Sequence, residues 1–120
     1  MKSSLVKFKL NLQYPGKNIV INKSNSEIIC EAEPSSEHKD YSLAIAVIDK
    51  SQLHYHKVST EIYTVLKGNL TVTKDGKDFP LSVGETLVIK PLEKHCAKGN
   101  ETWVEVKSTP GWTPLDHYLI

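Results

Sequence analysis

At 120 residues, with 39% apolar and 24% charged side chains, the chain has the size and composition of one globular domain and can bury a core without a disulfide or a structural metal. Fifteen basic and fourteen acidic residues leave a formal charge of +1 and are mixed along the chain, which argues against nucleic acid or another polyanion as partner. No apolar run approaches the roughly 18 residues of a membrane-spanning helix, and the scattered lysines of "MKSSLVKFKLNLQYPG" do not form the apolar core of a signal peptide, so a cytoplasmic protein away from membranes is expected.

Along the chain, apolar residues recur at spacing two far more often than at three and four. Val6–Leu12 ("VKFKLNL") alternates apolar and polar residues and predicts a strand. Glu27–Glu33 ("EIICEAE") and Tyr41–Ile48 ("YSLAIAVI") predict two more, the latter apolar on both faces. Between them Pro34–Tyr41 ("PSSEHKDY") is polar throughout and reads as an exposed loop. Further strands are expected at Glu61–Leu66, Asn69–Thr73, Lys77–Leu81, Thr86–Ile89, His95–Ala97 and Thr102–Lys107, separated by turn residues. Asp75-Gly76 is the clearest turn, because a tight hairpin demands positive φ at its central residues. The pattern is that of an all-β sandwich or barrel, one domain over residues 1–120, with no repeat or linker to divide it.

The chemistry lies in the histidines. His54 and His56 are two residues apart, so on a strand they share a face with Cα atoms about 6.5–7 Å apart, and both imidazoles can reach one cation at about 2.1 Å. Glu61 has the wrong parity for the same face of an unbroken strand. The intervening "KVST" has the length of a hairpin connection, however, and a strand returning from it brings the carboxylate beside His56. Period two from Glu61 then turns Tyr63 and Val65 inward, and Gly68 ends the strand. A later stretch, "GETLVIKPLEKHCAKGN" (Gly84–Asn100), supplies His95 at the start of another strand.

These residues resemble the two motifs of the cupin family. His54, His56, Glu61 and Gly68 match the pattern HxH, four residues, E, six residues, G without a gap. Gly84 and His95 keep the separation of the second motif, with Pro91 one residue late. The resemblance covers about residues 40–107, and "TPGWTPLDHYLI" is similar to the closing segment of several small cupins. The chain departs from the family where a glycine usually opens the first motif, here Ile48, and where a glycine usually separates the proline and histidine of the second, here Leu92, Glu93 and Lys94. These departures touch turns rather than the ligand set. The resemblance implies a small jelly-roll barrel (double-stranded β-helix) with His54, His56, Glu61 and His95 gathered inside it around a divalent transition metal. Three imidazoles and a carboxylate suit Fe, Mn, Ni, Zn or Cu, and the identity of the metal stays open.

The remaining candidates are weaker. His38, in a charged loop, and His117, near the C-terminus, have no spacing that links them to the four and read as surface or packing histidines. Cys30 and Cys96 belong to no CxxC pair and read as free thiols, with Cys96 turned away from His95. Tyr63 is the catalytic candidate, as a hydrogen-bond donor or pocket wall, and Trp103 and Trp112 are candidates to close the barrel mouth. The chain contains no arginine, which weighs against a bidentate clamp for carboxylate or phosphate. Without a nucleophile elbow, phosphate loop or GxGxxG stretch, metal-centred chemistry is left. Two classes stay open: a metal-dependent enzyme, of dioxygenase or isomerase/decarboxylase type, acting on a small polar molecule; and a non-catalytic protein whose metal anchors a carbohydrate or acid. Sheet edges favour pairing with a second copy, so a homodimer is expected.

Overall fold

The computed structural model describes residues 1–120, and its regular structure is mostly antiparallel strand. One helix, α1 (Ser3–Gln13), precedes ten strands: β1 (Ile19–Ile21), β2 (Glu27–Glu33), β3 (Ser42–Lys50), β4 (His54–Tyr55), β5 (Thr60–Lys67), β6 (Leu70–Lys74), β7 (Lys77–Leu81), β8 (Thr86–Ile89), β9 (His95–Thr109) and β10 (Tyr118–Leu119). The strands run in the order β1-β2-β3-β9-β4-β10, and β5 and β6 also pair with β9, so that the sheet curls on itself as a jelly roll.

The fifteen-residue β9 is the spine of the curl. One edge pairs with β3 and, at His95, with β4; the other pairs with β5 and β6. Sequence patterning divides this strand in two at "KGNE", because a turn signal occurs there. The chain instead stays in the ladder through an irregularity, with Glu101 at φ 46° and a register shift opposite Ile48–Lys50. Thr102 secures the bend by donating its hydroxyl to Asn69 O at 2.6 Å and accepting from Asn100 N at 3.2 Å. Gly99 is required beside it, since a Cβ there would lie 2.9 Å from Ile48 O. The Asp75-Gly76 turn forms as expected, with φ of 49° and 79° and Lys74 opposite Lys77 across the two-residue loop.

Alternation along β3 builds two cores. Ala46 and Ile48 face the barrel interior with Tyr63, Val65, Leu70, Val72, Ile89 and Val104. Ile45 and Val47 face outward with Ile28, Cys30 and Trp103, and this outer layer is closed by Val6 and Leu10 of α1. Each such aliphatic side chain, fully buried, contributes about 1.5–3 kcal/mol.

Here the strand expected at Val6–Leu12 is overturned: the segment lies within helix α1. Its alternation of apolar residues also contains the i, i+4 pair Val6 and Leu10, and leucine and lysine are good helix formers. The outer face of β2, β3 and β9 offers those two side chains a buried seat, while Leu5, Phe8 and Leu12 stay exposed. A strand would place Phe8 and Leu10 on one face; the helix separates them. Leu10→Ala should therefore cost about 2–4 kcal/mol in urea denaturation, and Phe8→Ala less than about 0.5 kcal/mol; equal losses would contradict the helix.

Candidate metal centre

Each member of the His54, His56, Glu61 and His95 set is delivered by a different local device. His54 sits in the two-residue β4 and pairs directly with His95 at the start of β9, which brings their rings to 4.1 Å. His56 follows β4, and Tyr55 between them turns the other way to stack on Tyr118 of β10, 5.1 Å between centroids. Glu61 projects from β5 opposite Ser108 of β9, whose hydroxyl donates to Glu61 Oε2 at 3.2 Å.

The four are buried, and their ligand atoms all lie within 4.8 Å of one another. Every imidazole faces a backbone carbonyl with Nδ1: His54 to Gln52 O at 2.8 Å, His56 to Asp116 O at 2.6 Å and His95 to Glu93 O at 3.0 Å. Those bonds place the protons on Nδ1 and leave the Nε2 lone pairs aimed at the centre. Glu61 Oε1 is 3.0 Å from His56 Nε2 and 3.2 Å from His95 Nε2. His56 Nε2 is nevertheless buried without a partner of hydrogen-bond geometry. Lone pairs converging on a buried carboxylate repel unless positive charge stands among them, and this donor set fits a divalent transition metal.

Burial, and then the neighbouring His95, pushes the His54 imidazole down to about 4. Burial lowers His56 too, but Glu61 beside it more than reverses that and holds its proton more tightly than usual. Burial raises Glu61, yet in the absence of a metal His56 and His95, when each takes up a second proton on Nε2, hold the carboxyl well below the ordinary range. A metal at this site competes chiefly with the proton on His56.

The hairpin expected at "KVST" does not form. β4 pairs with β9 and β10, whereas β5 pairs with β8 and β9, so the chain crosses between layers rather than folding back beside itself. Glu61 still reaches His56, through the curl of the sheet. The crossing is held by Asp116, whose carboxylate accepts from the backbone N–H groups of Lys57 (2.7 Å), Val58 (3.2 Å) and Ser59 (2.9 Å). Burial raises the Asp116 carboxyl, and those three donors lower it further, so it stays ionised. Asp116 thus fixes the loop with its side chain and His56 with its carbonyl.

The second motif is tied to the first by Leu92, whose N–H donates to His56 O at 2.7 Å. Leu92 adopts φ 72°, so where a cupin usually carries glycine this chain holds the left-handed conformation with a leucine, at roughly 1–2 kcal/mol.

The cluster opens into a cavity of about 330 Å³ lined by His54, His56 and Glu61, and also by Tyr63, Trp112 and His117. Tyr63 is in place as expected, its ring 6.1 Å from that of His95, and burial keeps its phenol protonated far beyond the usual range. His117 was not expected here. It stacks on His54 with 4.5 Å between centroids, and Trp112 Nε1 donates to its Nδ1 at 3.4 Å. Burial and the nearby His56 lower its basicity. No spacing in the sequence announces it, because it arrives through the β10–β4 ladder. His38 lies away from the cavity, against Tyr41 and Glu33. Trp103 closes no mouth and packs in the outer core near α1, and Cys30 and Cys96 are unpaired thiols.

The family model described as "Cupin domain" matches residues 44–107, which contain the whole candidate ligand set. The chain is a cupin. Among proteins of known sequence, this cupin is 39% identical over 57 residues to the uncharacterized protein MJ1618 of Methanocaldococcus jannaschii; the match spans 45% of this chain and less than half of that one, 46%. Among solved structures it resembles Pac13, a nucleoside dehydratase from Streptomyces, with a TM-score of 0.79 at 11% identity over 89% of this chain and 87% of that one. KdgF from Halomonas sp. gives 0.67 at 17% identity over 78% and 87%. Oxalate decarboxylase from Bacillus subtilis gives 0.71 at 15% identity over 89% of this cupin and 31% of the larger chain. At these identities the likeness is one of fold.

Three outcomes test the centre. His56→Ala should lose most of its bound metal by elemental analysis while keeping its far-UV circular dichroism, and wild-type occupancy should fall as pH is lowered, beginning above the ordinary imidazole range because Glu61 raises the proton affinity of His56. Asp116→Asn, which turns amide hydrogens toward three backbone donors, should weaken metal affinity about tenfold or more in chelator competition; unchanged affinity would remove Asp116 from the site's support.

Proposed function

We propose that this cupin is a metal-dependent enzyme that acts on a small polar molecule bound in the barrel cavity. The observation that carries the reading is the placement of the His54, His56, Glu61 and His95 cluster at the base of a cavity large enough for such a molecule, with a protonated phenol beside it. His54, His56, Glu61 and His95 would hold the cation. A divalent transition metal supplies Lewis acidity toward a carbonyl or hydroxyl, or a site for O2, depending on the element.

The chain's own groups supply the rest. Tyr63, held neutral by burial, donates a hydrogen bond into the cavity. His117, with Nδ1 occupied by Trp112, lines the cavity as a group able to take or return a proton. Apolar walls from Ile29, Ala46, Ile48 and Val106 exclude water from the deeper part and strengthen each polar interaction there. Structural neighbours of this fold include a nucleoside dehydratase and a decarboxylase, which supports an enzyme over a passive binder.

Elemental analysis of the purified protein, coupled to an oxygen electrode with thiols, phenols and keto acids, separates the chemistries. Iron with O2 uptake selects a dioxygenase; O2-independent turnover selects the isomerase or decarboxylase type. Bound metal with no turnover of any probe would favour the non-catalytic protein whose metal anchors a carbohydrate or acid.

A further inference from the structure

Strand β2 is buried on one face and open on the other, and its open face carries acid. Ile28 and Cys30 pack outward against α1, while Glu27, Ile29 and Glu31 line the barrel cavity. Glu31 is engaged by Asn18 Nδ2 at 2.8 Å. Glu27 has no such partner: only burial, and then the charge of Glu61 across the cavity, act on its carboxyl, and they raise it to about 7. Its backbone is held in place, since Asn22 Oδ1 accepts from Glu27 N at 3.0 Å and from Ser26 N at 2.8 Å. Glu27 is neither a member of the candidate metal cluster nor a residue of either cupin motif.

The charge balance of the cavity gives this carboxyl a consequence. Its acidic side chains are Glu27, Glu31 and Glu61; no lysine lines it, and the chain has no arginine. One negative group on a ligand can be met at the metal. A second meets no lysine or arginine there: neutral donors such as Tyr63 and Gln52 can reach it, but the carboxyls of β2 oppose it within apolar walls that screen little. A hydroxyl or amide at the same point is welcome, because it can donate to Glu27 when the carboxyl is ionised and accept from it when protonated.

We propose that Glu27 faces the ligand as a specificity-determining residue, admitting neutral hydroxyl- or amide-bearing molecules and turning away those with a second negative charge. This rests on the cavity being the ligand site of a metal-dependent cupin. It narrows the substrate class to neutral or singly charged molecules rich in hydroxyl or amide groups.

A matched pair of probes tests it: succinate, with two carboxylates, and succinamate, in which an amide replaces one of them. Cobalt(II) is loaded first and its uptake read from the d–d absorption, and each probe is then titrated at pH 8 by its effect on that spectrum. The wild type should bind succinamate at least tenfold more tightly than succinate, and Glu27→Gln should cut that preference at least fivefold. Should the glutamine variant not fold by circular dichroism, Glu27→Ser serves in its place with the same expected narrowing. Equal binding of the two probes by the wild type, a preference untouched by the substitution, or binding of neither probe to the cobalt-loaded protein would overturn the role of Glu27. Failure to take up cobalt at all overturns the metal reading itself and is seen before any probe is added.

Discussion

A carboxylate at the centre of a small protein must meet positive charge or give up its own, and Glu61 is that carboxylate. It is 5% exposed, with an imidazole at 3.0 Å and another at 3.2 Å. Desolvation of an unpaired charge there would cost several kcal/mol. The strands around it are arranged to prevent that: β9 delivers His95 and Ser108 from its two ends, and the short β4 brings His54 and then His56 from the far side. The curl of the sheet is what makes one long strand serve both ends of one site.

Around this centre lies a shell that orients without ligating. Three carbonyls fix the imidazole tautomers, and Asp116 holds the loop between His56 and Glu61 by three backbone N–H groups. Leu92 links the two motifs through a backbone conformation that leucine resists. Such strain persists only where surrounding contacts over-determine it, and here it sits one hydrogen bond from a candidate ligand. The cavity beyond combines apolar walls with a few polar groups, among them Tyr63, His117 and Glu27. Each polar group gains force from the low dielectric around it.

Much of this was legible in the residues. Strands β2, β7 and β8 fall where patterning places them, to the residue, because period-two alternation and Gly or Asp-Gly turns are local signals. The four candidate ligands were legible from spacing and from family resemblance. The hairpin at "KVST" was not: loop length alone does not say whether a chain returns beside its own strand or crosses to another layer. Helix α1 was misread for a related reason, since Val6, Phe8, Leu10 and Leu12 satisfy alternation while Val6 and Leu10 also satisfy a helical face. Which period prevails depends on the surface waiting to be covered.

Composition, turn chemistry and the two motifs by themselves determined an all-β cupin with its histidines and glutamate poised for one cation, because those properties depend on residues near in sequence. Tertiary structure alone decided that β9 runs unbroken through "KGNE", that His117 and Trp112 join the cavity, that Asp116 supports His56, and that Glu27 lines the cavity. Each of these joins positions distant in sequence: Asp116 and Lys57 are 59 residues apart. Such pairings cost loop-closure entropy that no local pattern records, and they are settled only when the sheet closes and buries the groups together.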